Sequence, residues 1–276
     1  MSVIVSILCE NSVGRPGRLI GEHGFSCLVE TPRCKLLFDT GQGLGLLHNA
    51  AELGVNLAEL DGVALSHGHY DHAGGLAALL AARAPLTVWA HPDIFLDRYW
   101  RSEFESRPIG NPNLRPDLEE RGAVFSLDRG FRELATGVWF SGEIPRTNDF
   151  EKGDPHLVVP SAGGFSIDPL LDDQALILDS GKGLVLLCGC AHAGLVNTMQ
   201  HAFRQTGRDR IHAVIGGTHL GPADDAQFSS TRKALRDLGV ERVATSHCTG
   251  LQRSAQLQRE FGGRFAFAAV GSRLEF

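Results

Sequence analysis

Ser66-His67-Gly68-His69-Tyr70-Asp71-His72-Ala73-Gly74-Gly75 places three imidazoles and a carboxylate within six positions. Imidazole and carboxylate are ligands of zinc, manganese and iron, and surface composition seldom gathers them at this density. The residues just before, Gly62-Val63-Ala64-Leu65, form an apolar run too short for a helix and suited to a strand buried on both faces. The residues just after, Leu76 to Arg83, are good helix formers entered through Gly74 and Gly75. The unit reads as strand, ligand loop and helix. Packed against apolar strands, its four polar side chains would be unsatisfied without a cation, so the stretch predicts a metal site.

Outward from this loop the same alternation recurs. Upstream, residues 2–9, 25–30 and 35–39 read as strands, the last two joined by the Thr31-Pro32-Arg33 turn, and residues 44–53 read as a helix stopped by Gly54. Asp39 ends a buried strand and is expected on the rim that carries the histidines. The Gly/Pro/Arg loop from Asn11 to Arg18 is either solvated or laid over the site. Downstream, residues 86–90 form a further buried strand.

Residues 93–117 break the pattern, with Phe95, Tyr99, Trp100 and Phe104 interleaved with Arg98, Arg101, Arg107 and Arg115. They predict an irregular cap that supplies aromatic stacking and phosphate-pairing guanidiniums, or else a surface excursion anchored by its aromatics. In the second half, strands at 175–178, 183–188, 211–215 and 242–245 alternate with helices at 195–204 and 228–238. Three of these strands lead to a histidine: His192, His219 and His247. Strand C-termini form the rim where α/β sheets build sites, so these residues are expected to converge with His67. The organisation expected is one domain, 1–276, made of two halves of about 1–150 and 151–276.

At 276 residues and 43% hydrophobic content the chain can bury a sizeable core, and a net charge of -6 gives no basic field for a polyanion. The partner expected is a small molecule, not nucleic acid or a membrane. Six cysteines without framework spacing, an N-terminus that reads as a strand, and no run long enough for a membrane span point to reduced thiols in a cytoplasmic protein.

The pattern H-x-H-x-D-H at His67, His69, Asp71 and His72 resembles that of the metallo-β-lactamase superfamily. The further segments LFDTG (37–41), LSHGHYDHAGG (65–75), GEIPR (142–146), DDQAL (172–176), GCAHAGLVNT (189–198), GGTHL (216–220) and SHCTG (246–250) resemble a subfamily labelled 7,8-dihydropterin-6-methyl-4-(β-D-ribofuranosyl)aminobenzene-5′-phosphate synthase. The resemblance implies a four-layer αββα sandwich, two mixed sheets flanked by helices. It also implies two divalent metal ions, zinc first and manganese or iron as alternatives, with His67 and His69 on one, Asp71 and His72 on the second, and His192 and His247 added from the second half.

Two departures qualify the ligand set. Cys190 stands where many members place a bridging aspartate, which leaves single-metal occupancy open, and His192 is preferred to Cys190 as the ligand. Glu143 and Arg146 stand in the interval where many hydrolytic members carry another histidine. They are expected to bind substrate, Arg146 through a phosphate, with a structural ion pair as the competing reading. His219 is expected to face substrate, and Asp71 and His219 are the catalytic candidates. His23, His48, His91, His201 and His212 lack a constellation and read as surface or core, and His156 as solvated.

The function expected is metal-dependent hydrolysis of a phosphorylated or ester small molecule through metal-activated hydroxide. The alternatives are a dihydropterin-pyrophosphate condensing synthase, an iron-dependent sulfur dioxygenase, and a non-catalytic metal-containing ligand sensor.

Overall fold

The computed structural model describes all 276 residues. The chain begins with the meander β1 (Ile4–Cys9), β2 (Ser26–Glu30) and β3 (Lys35–Phe38), then α1 (Leu46–Glu52) and β4 (Gly62–Ala64). The one-turn helix α2 (Tyr70–Ala73), α3 (Leu76–Ala82) and β5 (Leu86–Ala90) follow, then β6 (Tyr99–Arg101), β7 (Ser106–Pro108), α4 (Arg115–Glu120) and β8 (Ala123–Leu127). Next come β9 (Arg132–Ala135), β10 (Val138–Phe140), β11 (Leu157–Ser161), β12 (Gly164–Ile167), β13 (Ala175–Asp179) and β14 (Leu184–Cys188). The chain closes with α5 (Leu195–Thr206), β15 (Ile211–Gly216), α6 (Asp225–Asp237), β16 (Arg242–Thr245), α7 (Leu251–Phe261), β17 (Phe265–Phe267) and β18 (Arg273–Glu275).

Two seven-stranded sheets result, in the orders β18-β1-β2-β3-β4-β5-β8 and β17-β16-β15-β14-β13-β10-β9. Both are mixed: hairpin-linked strands pair antiparallel, whereas β3-β4-β5-β8 and β14-β15-β16-β17 are parallel because longer connections, most of them helical, return the chain to the same edge. The period-2 alternation of the strands explains the layers. Leu176, Leu178, Val185 and Leu187 meet Val5, Ile7, Phe25 and Phe38 between the sheets. On the opposite face Ile177, Leu184 and Leu186 pack under Leu195, Met199, Leu235 and Leu257 of α5, α6 and α7. Leu28, Leu37, Val63 and Val88 pack under Leu46, Leu76 and Leu79 of α1 and α3. Three apolar seams separate four layers, which is the αββα sandwich expected. No helix is long and apolar enough to cross a membrane.

Three features differ from the sequence expectation. The halves exchange strands: β9 and β10, before residue 150, join the second sheet, and β18 joins the first. The excursion at 93–117 is more regular than an irregular cap, since β6 and β7 pair with β11 and β12 in a third sheet of order β12-β11-β6-β7. Helix α6 begins three residues before the predicted 228, because its first turn is polar and is capped by the Asp224 side chain, which accepts the Gln227 N–H at 2.7 Å.

Candidate metal centre

Strand β4 is buried along its whole length and releases Leu65 and Ser66 at the sheet edge, where Asp39 waits at the end of β3. The Asp39 carboxylate accepts the Ser66 N–H at 2.6 Å and the Ser66 hydroxyl at 2.7 Å, and it also accepts the His72 Nδ1–H at 2.7 Å. One buried carboxylate therefore orients both ends of the histidine loop. Gly68 is pressed against backbone: a Cβ there would lie 2.4 Å from the Ile94 carbonyl oxygen. Its N–H donates to Asp172 at 2.8 Å, and Asp172 and Asp168 each pair with the buried Arg98 guanidinium at 2.7 Å.

Proton assignment follows from these partners. The Ser66 hydroxyl gives its proton to Asp39, so His67 Nδ1 donates to Ser66 Oγ, at 2.8 Å, and Nε2 keeps a lone pair. His72 gives its Nδ1 proton to Asp39, and His247 gives its own to Asn11 Oδ1 at 2.9 Å. The three Nε2 atoms thus point inward. His67 Nε2 lies 3.0 Å from His69 Nδ1, and His72 Nε2 lies 3.3 Å from His247 Nε2. His69 and His192 each leave a buried Nε2 without a hydrogen-bond partner.

The donors fall into two adjoining groups. His67, His69 and His192 place their donor atoms within 4.8 Å of one another. Asp71 Oδ2 lies 3.3 Å from His247 Nε2, 3.9 Å from His72 Nε2 and 3.1 Å from His23 Nε2. Burial, with help from neighbouring imidazoles, holds His67 and His192 well below the usual histidine range, and burial does the same to His69. They are neutral, as ligands must be. Burial opposes charge on His72 as well, but the Asp39 and Asp71 carboxylates override it and raise the imidazole to about 9, so a proton favours the Nε2 position that a cation would take instead. Converging Nε2 atoms, orphaned nitrogens and a pull toward positive charge fit a divalent cation.

The backbone is strained here. Of five non-glycine residues with positive φ, Asp39 (59°), Ala191 (57°), His219 (50°) and His247 (51°) belong to or adjoin the cluster. Such conformations cost about 1–3 kcal/mol each and persist where surrounding contacts dictate them.

A cleft opens over the cluster, lined by His69, Asp71, His192, His219 and His247, by Cys190 and Cys248, and by His23, Tyr70, Trp100, Arg107, Ile109, Asp154 and Leu157. The third sheet forms part of this wall, anchored where the Tyr70 N–H donates to the Ile109 carbonyl at 3.0 Å. His219 faces the cleft with both ring nitrogens unpaired, its Nε2 3.8 Å from Asp154 Oδ2.

Two expected substrate ligands lie elsewhere. Glu143 accepts from Arg129 at 2.7 Å and pairs with His91 at 3.1 Å, so it belongs to a structural ion pair outside the cleft. Arg146 donates to the His192 carbonyl at 2.7 Å and to the Pro169 carbonyl at 3.0 Å, which makes it a brace on the ligand loop. Both follow the strand-end turn at Gly142, which has a φ of 64°. Conversely, His23 read as a non-site histidine yet contacts Asp71, and its ring lies 4.8 Å from that of His247. The local signal is Gly24: a Cβ there would lie 2.4 Å from the Asp71 carbonyl. His48, His91, His201 and His212 contact backbone or carboxylates away from the cluster.

An αββα sandwich carrying an H-x-H-x-D-H loop at one sheet edge, joined by histidines from later strand ends, defines a class of metal-site proteins. The chain belongs to the metallo-β-lactamase superfamily, whose profile matches residues 19–247. It is 31% identical to the 7,8-dihydropterin-6-methyl-4-(beta-D-ribofuranosyl)-aminobenzene-5'-phosphate synthase of Methanocaldococcus jannaschii, over 100% of this chain and 97% of that one. The structure of Tm1679, described as a metal-dependent hydrolase of the beta-lactamase superfamily, superposes with a TM-score of 0.83 at 30% identity, covering 99% of each chain. Zn(2+)-bound PqqB from Methylobacterium extorquens shares the fold, with a TM-score of 0.55 at 14% identity over 98% of this chain and 99% of that one.

Proposed function

We propose that the chain is a metal-dependent hydrolase of the cytoplasm that acts on a phosphorylated or ester small molecule. The observation that carries this reading is the convergence of the His67, His72 and His247 Nε2 atoms beneath an open cleft. Two divalent ions, zinc first, would be held by His67, His69 and His192 and by Asp71, His72 and His247. Such ions supply Lewis acidity toward a phosphoryl or carbonyl oxygen and acidify water.

The chain's own groups bind and orient the substrate. The Arg107 guanidinium at the cleft wall pairs with a phosphate, and Tyr70, Ile109 and Leu157 receive the organic part. Asp71 lies on the cleft wall to take the proton of the attacking nucleophile, and His219 to give one to the leaving oxygen. Arg107→Ala is expected to raise KM roughly tenfold or more, the scale of one charge-assisted hydrogen bond, with kcat little changed. An unchanged KM removes Arg107 from substrate binding. His219→Ala is expected to lower kcat by roughly 10²–10⁴-fold while metal content holds, which metal analysis and single-turnover rates measure together.

The identity to the synthase over the full chain favours a second reading, in which an aromatic amine replaces water and a dihydropterin pyrophosphate is the electrophile. Zinc- or manganese-loaded protein offered phosphomonoesters, phosphodiesters and a reduced-pterin pyrophosphate, with and without the aminobenzene ribofuranosyl phosphate, separates the two. Phosphate or pyrophosphate release without amine supports hydrolysis, and release only with amine supports condensation. No metal-dependent release from any of them sinks both.

A further inference from the structure

A second hollow adjoins the cleft, with Asp154, His192 and His219 common to both walls. Its volume is about 340 Å³, against about 180 Å³ for the cleft. Small-molecule sites occupy about 300–1,000 Å³, so the cleft alone falls short of that range and the hollow reaches it.

The partition between the two is one short segment. Leu157 and Trp100 line the cleft, whereas Pro155 and His156 line the hollow. The Trp100 and His156 rings stack with centroids 5.3 Å apart and planes 26° apart, so the wall is two rings thick with one ring on each side. The segment leading to it is tied to α5. The Thr147 N–H and the Asn148 side-chain amide donate to Asn197 Oδ1 at 2.8 and 3.0 Å, and the Glu151 carboxylate accepts the Val196 and Asn197 N–H groups at 2.8 and 2.9 Å. A Cβ on Gly194 would lie 2.3 Å from that carboxylate, so glycine is what lets the segment seat on the first turn of α5. The chamber is therefore preformed.

Its lining selects by charge. Neither lysine nor arginine is present, and Glu151 and Asp154 would repel an anion, whereas the cleft wall carries Arg107. Both Glu151 oxygens are already occupied by α5 N–H groups. The His156 Nδ1–H donates to the Arg101 carbonyl at 2.7 Å, which leaves Nε2 as an acceptor. Asp154 Oδ1 accepts the His156 N–H at 2.9 Å, and Oδ2 faces His219. Gln227, on the first turn of α6, adds a side-chain amide that both donates and accepts. Such a set suits hydroxyl groups, which also donate and accept.

We propose that this hollow is a second substrate chamber, which takes an uncharged, hydroxyl-bearing group while the cleft holds the apolar part. The inference rests on the phosphoester reading above and deepens it: the substrate is bipartite, it reaches both hollows past His192 and His219, and Gln227 and His156 set the preference for hydroxyls.

The test titrates zinc-loaded protein with the phenylphosphonate monoesters of methanol and of glycerol, whose P–C bond keeps the phenyl group on phosphorus, and measures each Kd by calorimetry. The glycerol ester is expected to bind roughly tenfold tighter than the methyl ester, the scale of one or two neutral hydrogen bonds. Gln227→Trp, which fills the chamber from α6, is expected to abolish that preference, and His156→Ala to reduce it roughly threefold. A folding defect weakens both esters together, so the ratio of the two reports the chamber. Arg107→Ala is expected to weaken both and keep the ratio. Equal affinity for the two esters in the wild type, or a preference that survives both Gln227→Trp and His156→Ala, overturns the chamber and leaves the phosphoester reading in place. A preference lost in Arg107→Ala but kept in Gln227→Trp puts the hydroxyls in the cleft and also overturns it. Binding of neither ester overturns the phosphoester reading, and the chamber with it.

Discussion

His67→Ala and Asp71→Ala are each expected to strip metal from the protein and to lower turnover by roughly 10³-fold or more, since removing one preorganised electrostatic contact alone costs 10²–10³. His67 is the donor best prepared for its task. Ser66 and Asp39 fix its tautomer and aim its Nε2 at His69 and toward His192. Asp71 brings the only carboxylate of the motif and contacts His23, His72 and His247. A thermal readout separates ligand loss from misfolding. A bound metal at about 100 times its Kd stabilises by about 2.7 kcal/mol, so a chelator should lower Tm in the wild type and leave His67→Ala unmoved. Full metal content and unchanged turnover in both variants would remove these residues from the site.

Arg98→Ala is expected to destabilise the fold by about 3–5 kcal/mol and to lower Tm by roughly 10 °C. The guanidinium is almost wholly buried, with Asp168 on Nε and Asp172 on Nη2, each at 2.7 Å. Burial already pushes the Asp172 carboxyl up to about 6 against the pull of Arg98. Removal of the cation leaves two buried carboxylates facing a cavity. The effect reaches the metal loop as well, because Asp172 holds the Gly68 N–H between His67 and His69. Arg98→Lys should recover only part of the loss, since one ammonium cannot span both carboxylates in the fork geometry of a guanidinium. A Tm of Arg98→Ala equal to the wild type's would show that the pair adds nothing to stability.

The parts of the molecule legible in the sequence share a physical basis. β5, β16 and α3 carry apolar residues at the spacing that their burial requires, so their existence and type follow from local pattern. The histidine loop was legible for a different reason: its donors are neighbours in the chain, and donors so close together need little tertiary help to meet. The missed strands lack both signals. β6, β7 and β12 are three or four residues long and half-buried or exposed throughout, so no alternation marks them. Beyond residue 250, α7 buries only Ser254, Leu257 and Phe261, too sparse an apolar face to mark it.

Sequence alone determined the alternation of strands and helices, the loop that carries His67, His69, Asp71 and His72, and the strand-end histidines His192, His219 and His247, whereas the αββα arrangement came from the resemblance of those motifs to a family. Each depends on residues within a few positions of one another, where periodicity and ligand density are expressed locally. Only the tertiary structure decided which residues face the cleft. It brought in His23 and Arg107, turned Glu143 and Arg146 away, and set Cys190 between the two imidazole groups. Those outcomes depend on how strand ends and excursions from distant parts of the chain pack against a single sheet edge. That is a property of packing and backbone direction, and no window of the sequence contains it.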